Sequence, residues 1–269
     1  MNNKKNILET IRYSLPWRIT TRGIKSFTTY SWNFLRYQNL ISILRLYKLE
    51  NKYQGKRCFI LGNGPSLSIT DLSLIREEFT FGSNRIYLLF DTLGFSTKFY
   101  IAIDKQIVSQ YKDDINRISS KKFLLLTERE GIEFDKDVIF LRNQDRINFW
   151  TYPTQKIYLS GSVTYVAMQL AFFIGFNPVI LMGVDHNYSV TRSTIEKVEQ
   201  VPYNGSKHNH FAPNYYQEGD LWIPPDIEKI ELGYRIAKFM FEKNGREILD
   251  ATIGGKLDVF PKVEYQSLF

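Results

Sequence analysis

The chain has three histidines, His186, His208 and His210, and all lie within about 25 residues of one another. Imidazole is the side chain best suited to accept a proton near neutral pH. The cluster begins directly after Gly183-Val184-Asp185, where an apolar run ends in an acid. Three readings are open. One is proton transfer by His210 or His186. Another is a metal held by His208, His210 and Asp185, although their spacing matches no strong zinc pattern. The last is a polar loop without chemistry. A second stretch, CFILGNGPSL over 58–67, ends an apolar run in Gly62-Asn63-Gly64-Pro65-Ser66. Glycine and asparagine tolerate positive φ and proline fixes the next residue, so a tight turn accounts for it. So does a phosphate cradle, because backbone N–H groups at a glycine-rich strand-to-helix turn hold anions. The motif is neither Walker A nor G-x-G-x-x-G.

Further polar residues close other apolar runs: Ser83-Asn84-Arg85, Asp104 after FYIAI, and Ser160-Gly161-Ser162 at the start of a helical pattern. Each alone is a cap or a turn. Gathered on one edge of a parallel sheet, they offer amides for phosphates and Asn or Asp for ribose and base. Asp135-Lys136-Asp137 spells D-x-D, a metal-holding pattern in many glycosyltransferases, but it precedes a strand and reads as a polar turn at the wrong end.

The elements that must position these residues follow from hydrophobic patterning. Strands are expected over 57–62, 79–83, 99–104, 121–127, 138–142, 178–183 and 247–250, with helices over 71–77, 105–118, 161–174 and 226–243. Such alternation predicts an α/β fold: a Rossmann-like, mostly parallel sheet flanked by helices. The apolar stretch 163–182 is interrupted by Gln169, Gly175, Asn177 and Pro178, so it reads as a buried helix, a turn and a buried strand, not a membrane span.

At 269 residues and 43% hydrophobic, the chain supports one sizeable core plus an appendage. Its single cysteine, Cys58, lies in an apolar run, which argues against a disulfide framework or a thiolate metal site and fits a reducing, cytoplasmic setting. No secretory signal is expected, because the N-terminus lacks a continuous apolar segment. The net charge of +7 is unevenly placed: residues 1–57 hold twelve Lys or Arg against two Glu, a net +10, which leaves −3 for the rest. Two segments are therefore expected, a basic helical arm over 1–55 and a catalytic domain over 56–269. In the arm, Ile24, Phe27, Tyr30, Phe34, Tyr37, Ile41 and Leu44 recur at helical spacing among basic residues, with Trp17 and Trp32 beside them. That suits an anionic membrane surface, or packing on the core or on another copy in a homo-oligomer. Nothing resembles a nucleic-acid module, so nucleic acid is not an expected partner.

As an ordered set, GNGPSL, SNR, SGS and GVD resemble bacterial sialyltransferases of glycosyltransferase family 42 and the broader MptE-like (Maf-flagellin-type) domain family, over about residues 56–265. The tail, with His210-Phe211 before the last long helix and DATIGGKLDVFPKV after it, resembles the MptE-like group in particular. The sialyltransferase resemblance implies a metal-independent enzyme without a cofactor. It would move an acidic, nonulosonic-type sugar from a CMP-sugar donor to a glycan or lipid-linked acceptor, at the cytoplasmic face of the membrane, in cell-surface polysaccharide synthesis. It implies that Gly62, Asn63, Gly64 and Ser66 cradle the nucleotide, that Asn84 contacts it, and that Ser160 and Gly161 belong to the same site. Asp104 stands where that family has another asparagine. Asp185 matches the acid of its G-x-D, and Tyr188 lies one residue beyond its phosphate-binding tyrosine. The family's His-Tyr-x-x-His becomes His210-Phe211-Ala212-Pro213-Asn214, so the first histidine is kept and the catalytic position holds Asn214. Chemically, C–O cleavage with oxocarbenium character needs phosphate stabilisation, for which Arg85 and tyrosine hydroxyls are candidates, and a base, His210 or His186. The MptE-like resemblance implies an alternative, an ATP-dependent 6-hydroxymethylpterin diphosphokinase with Mg2+ on carboxylates such as Asp104 and Asp185. A non-catalytic, membrane-associated scaffold is a third reading.

Overall fold

The computed structural model describes residues 35–188, 201–202, 210–216 and 219–269. The seven expected strands form one sheet: β1 (Cys58–Leu61), β2 (Phe79–Ser83), β3 (Phe99–Ala102), β4 (Lys121–Leu125), β5 (Val138–Leu141), β8 (Val179–Met182) and β11 (Ile248–Asp250). Their order is β11-β8-β1-β2-β3-β4-β5, and every pairing in the sheet is parallel. Strands covered on both faces are mostly apolar, so they read as near-continuous runs rather than alternations; the exceptions include Thr80 in β2 and Lys122 in β4, which is buried with its ammonium donating to the Ile118 carbonyl. Cys58 and Ile60 of β1 face one hydrophobic cluster and Phe59 and Leu61 the other.

The first cluster is covered by helices α3 (Val163–Ile174) and α4 (Ile227–Lys243), and the second by α1 (Lys105–Gln110), α2 (Lys112–Arg117) and single 3-10 turns. The helix expected over 105–118 is thus two, broken at Tyr111, where φ −117° and ψ 24° leave the helical region. Asp113 and Asp114 fall in the first turn of α2, where acids favour a new helix start. The helix expected over 71–77 is one 3-10 turn, Leu72–Ile75, capped by the Asp71 side chain. Two small pairs escaped sequence patterning because two-residue strands show no period: β6 (Asn143–Gln144) with β7 (Ile157–Tyr158), and β9 (Val201–Pro202) with β10 (Leu221–Trp222). The stretch once readable as a span is α3, twelve residues long, and β8, both in the core. Among the described residues no helix is long and apolar enough to cross a membrane.

Chain contacts divide at 41/42, into units of residues 1–41 and 42–269. Residues 42–55 belong to the second unit for a reason the charge pattern hides. The N–H groups of Asn51, Tyr53 and Gly55 donate to the carbonyls of Phe173, Ile174 and Gly175, each at 3.0 Å. These carbonyls end α3 and have no intrahelical partner, so the turn satisfies them. A Cβ on Gly175, whose φ is 102°, would stand 3.0 Å from the Gln54 Cα. Leu46 and Leu49 are 2% and 3% exposed. The Tyr53 ring stacks on Phe176 at 5.4 Å. Most of the expected arm, residues 1–34 with Trp17 and Trp32, lies outside the described residues.

A chain lacking residues 1–41 keeps Leu46, Leu49 and the turn over the end of α3. One lacking residues 1–55 uncovers α3 and loses two buried leucines, at about 3 kcal/mol each. Urea unfolding of the two should separate them by about 5 kcal/mol or more, and equal stabilities would support a boundary at 55/56.

Candidate active site

The sheet reverses its winding at β1. The chain moves outward from β1 to β5 on one side, then crosses to place β8 and β11 on the other. A crevice opens beyond the carboxyl ends of strands at such a switch point. Here it is a cavity of about 520 Å³ bordered by the exits of β1, β2, β3, β7 and β8 and by the start of α4.

The exits of β1 and β8 touch so closely that no side chain fits at positions 62 and 64. A Cβ on Gly62 would lie 2.2 Å from the Gly183 carbonyl oxygen, and one on Gly64 would lie 1.8 Å from Asp185 Oδ2. Gly64 has an ordinary φ of −72°, so proximity rather than conformation demands glycine there. The contact is locked by Asp185, whose carboxylate accepts from Ser66 N at 3.0 Å and Ser66 Oγ at 2.8 Å. The tail braces it from behind: Val184 N donates to Thr252 Oγ1 and Lys256 N to the Asp185 carbonyl. Gly62, Asn63 and Gly64 line the cavity, but the first task of the two glycines is to admit the β8 exit.

Ten of the expected site residues line the cavity: Gly62, Asn63, Gly64, Asn84, Asp104, Gly161, Asp185, His186, Tyr188 and His210. Three are placed outside the lining. Ser66 is held by Asp185. Ser160 is fully buried, donates its hydroxyl to the Lys229 carbonyl and packs where a Cβ on Gly233 would stand 2.6 Å from its own Cβ. Arg85 is 6% exposed and works as an anchor. Its guanidinium donates to the carbonyls of Asn214 and Tyr215 and lies 3.9 Å from the centre of the Tyr111 ring. With Phe211 N donating to the Asn63 carbonyl at 3.0 Å, this fixes segment 210–216 over the strand ends. Asn214 is exposed and outside the lining. His208 lies outside the described residues.

Among the lining residues, Asn63 donates its Nδ2 to the carbonyl and hydroxyl of Ser83, at 3.2 and 3.0 Å. A carbonyl can only accept, so this orients the amide, and Asn63 Oδ1 has no partner among the described residues. Asn84 Oδ1 and His186 Nδ1 are also buried without one. Left-handed backbone at non-glycine residues recurs here: Asn84 at φ 49°, Ser160 at 49° and His186 at 51° each follow a strand that ends at the cavity. Such conformations persist only where surroundings impose them, and they gather at functional sites.

The two described histidines differ. His210 stacks on Tyr215 at 3.9 Å and 7°, and burial lowers its pKa to about 4, which makes it a weak base. His186 has a side chain 7% exposed, and its Nε2 lies 3.1 Å from Glu231 Oε1. Glu231 was not legible in the sequence, and neither was Lys229, which lines the cavity from the first turn of α4.

The cavity carboxylates are engaged by the backbone. Asp104 accepts from Gln106 N and Ile107 N, Asp226 from Lys229 N, and Asp185 from Ser66. Two helix starts are therefore neutralised by their own acids. Ser162 caps the third, α3, so that start keeps its full positive end toward the cavity. Burial pushes the phenols of Tyr215 and Tyr216 well up, so both are neutral O–H groups. Among the described residues no three His, Cys, Asp or Glu form a metal-holding cluster. Asp135 and Asp137 lie at the opposite edge, where Asp135 accepts from Asp137 N and Val138 N and Asp137 pairs with Lys121.

Residues 36–191 match the profile of a family described as 6-hydroxymethylpterin diphosphokinase MptE-like. A solved structure, that of a MAf glycosyltransferase from Magnetospirillum magneticum AMB-1, is similar in fold, with a TM-score of 0.51 at 15% identity. The likeness covers 86% of this chain and 39% of that one, so this chain spans well under half the length of that protein. No curated protein matches the chain.

Two outcomes follow from the geometry. Gly64→Ala drives a methyl group into the Asp185 carboxylate and should cost about 2–4 kcal/mol through the lost Ser66 contacts. The same change in an Asp185→Ala background should cost clearly less, a coupling that a double-mutant cycle in urea reads directly. The second concerns pH. Because His210 resists protonation when folded, the unfolded chain binds the proton first. Stability present above about pH 6.5 is lost as the pH falls toward 4, by up to about 3 kcal/mol. His210→Phe keeps the ring stack and should flatten that part of the stability–pH curve.

Proposed function

The chain belongs to the MptE-like family, and we propose that its cavity performs glycosyl transfer from a CMP-linked acidic sugar to the hydroxyl of a glycan or lipid-linked acceptor. The observation that carries this reading is the buried His186 imidazole, whose Nδ1 is without a partner among the described residues, at the wall of a cavity on the β1/β8 switch point. The acceptor hydroxyl attacks the anomeric carbon and gives its proton to His186 Nδ1. The bond between the anomeric carbon and the phosphate oxygen breaks, and the nucleoside monophosphate leaves with the electron pair. The start of α3, Lys229 and the tyrosine hydroxyls are suited to that developing charge. The unpaired acceptors Asn63 Oδ1 and Asn84 Oδ1 suit ribose hydroxyls or an exocyclic amine. His210, first in line from the family pattern, is left a weak base by its burial and its stack on Tyr215, whereas His186 has a ring nitrogen without a partner among the described residues.

The activity that the family is named for supplies the alternative, pyrophosphoryl transfer from ATP to a hydroxymethylpterin. Magnesium in that reaction calls for free carboxylates. Asp185 has both oxygens engaged, and Asp104 and Asp226 cap helices at separate strand ends, a donor set that supports the metal-free reading. The basic residues of 1–55 would hold such an enzyme on anionic lipid at the cytoplasmic face, beside a lipid-linked acceptor.

Thermal-shift measurements with CMP, CDP, UDP, GDP and ATP test the reading. CMP should stabilise the protein equally with and without magnesium, by about 2.7 kcal/mol at one hundred times its Kd. His186→Ala should lower transfer by about two to four orders of magnitude while donor binding holds. Stabilisation by ATP only with magnesium, and none by CMP, would replace this reading with the diphosphokinase one.

A further inference from the structure

His186 is not free to choose which of its nitrogens faces the reaction. Its backbone adopts φ 51° one residue after Asp185, a left-handed step that turns the ring toward α4. There Nε2 meets Glu231 Oε1 at 3.1 Å, and the other carboxylate oxygen, Oε2, accepts from Arg235 at 2.6 Å. A carboxylate can only accept, so the ring nitrogen facing it must carry hydrogen. In the neutral imidazole this puts the lone pair on Nδ1, the atom without a partner among the described residues. The Tyr234 and Tyr188 rings flank the imidazole at 6.4 and 5.6 Å, so it has packed neighbours on other sides.

Resting on the reading of His186 as the base, we infer that Glu231 is its positioning residue: it holds the imidazole in the Nε2–H tautomer and aims the Nδ1 lone pair at the acceptor hydroxyl. Arg235 in turn holds Glu231, an i,i+4 partner on the same helix face. Glu231 itself does not touch substrate. Its effect on rate passes entirely through the ring, as for the buried acid behind a catalytic histidine in hydrolases.

The chain's three histidines make the direct test practical. Full-length protein carrying 15N-histidine, without any ligand, reports the tautomer by long-range proton–nitrogen correlation. His186 should give a pyrrole-type Nε2 and a pyridine-type Nδ1. In Glu231→Ala the two tautomers should mix, with melting temperature and His210 signals otherwise preserved. Should that variant fold poorly, Glu231→Gln serves, because an amide can either accept from or donate to Nε2 and should bring in the second tautomer. The opposite tautomer in the wild type, or an unchanged spectrum in a folded Glu231 variant, overturns the inference. Where CMP-sugar transfer is measured, Glu231→Ala should lower kcat by about 100-fold or more with little change in donor KM, in the manner of a lost orienting acid. An unchanged kcat overturns it as well. A spectrum as expected with no transfer from any CMP-sugar leaves Glu231's hold on His186 intact and removes the glycosyltransferase reading instead.

Discussion

Everything at the cavity depends on two strand exits meeting with no side chain at positions 62 and 64. The carbonyl of Gly183 and the carboxylate of Asp185 occupy the space where Cβ atoms at positions 62 and 64 would be. That approach brings the ends of neighbouring strands β1 and β8 into one wall. It also lets Asp185 engage Ser66, which fixes the 3-10 turn at Pro65–Ile69 onto the β8 exit. The step that follows, a left-handed His186, needs a rigid predecessor, and Asp185 supplies it from both its side chain and its carbonyl.

The rest of the wall is held by similar bargains between backbone and side chain. Acids at Asp104 and Asp226 occupy the amides of their own helices, and Ser162 leaves α3 capped by a neutral group. The cavity thus meets one helix start capped by a neutral group and two capped by acids, with Lys105 and Lys229 in its lining beside the latter two. Arg85 has a comparable indirect part. Buried and bonded to two carbonyls of segment 210–216, it carries Tyr215, Tyr216 and His210 into position without facing the cavity. Substituting such a residue would alter the site through the loop it holds.

Folds of this kind host many chemistries, so the family and the fold narrow the function less than the site does. The MptE-like profile gives the family, and the likeness to the MAf glycosyltransferase, at 15% identity, speaks to the fold. What separates phosphoryl from glycosyl transfer is which groups remain unengaged. Among the described residues a ring nitrogen and two amide oxygens at the cavity are buried without partners, Asp185 has both oxygens bonded to Ser66, and Asp104 and Asp226 each have one oxygen on backbone amides.

The seven strands of the main sheet were legible because strands buried on both faces need near-continuous apolar runs. Their polar endings were legible for the same reason: in a parallel sheet the carboxyl ends all face one way, so GNGPS, SNR, Asp104 and GVDH had to share an edge. Which of those residues face the cavity was decided only by tertiary structure. Ser66, Arg85 and Ser160 stand among lining residues in sequence, yet each is drawn away by a distant partner: Asp185, segment 210–216 and Gly233. The 41/42 division of contacts was hidden in a basic stretch because Arg45 spends its charge on the carbonyls of Asp135 and Val138, while Leu46 and Leu49 are buried and the N–H groups of Asn51, Tyr53 and Gly55 turn inward on α3. Glu231 had no signal at all. It lies 45 residues from His186, and a carboxylate on a helix face looks like any solvated one until the fold brings an imidazole to it.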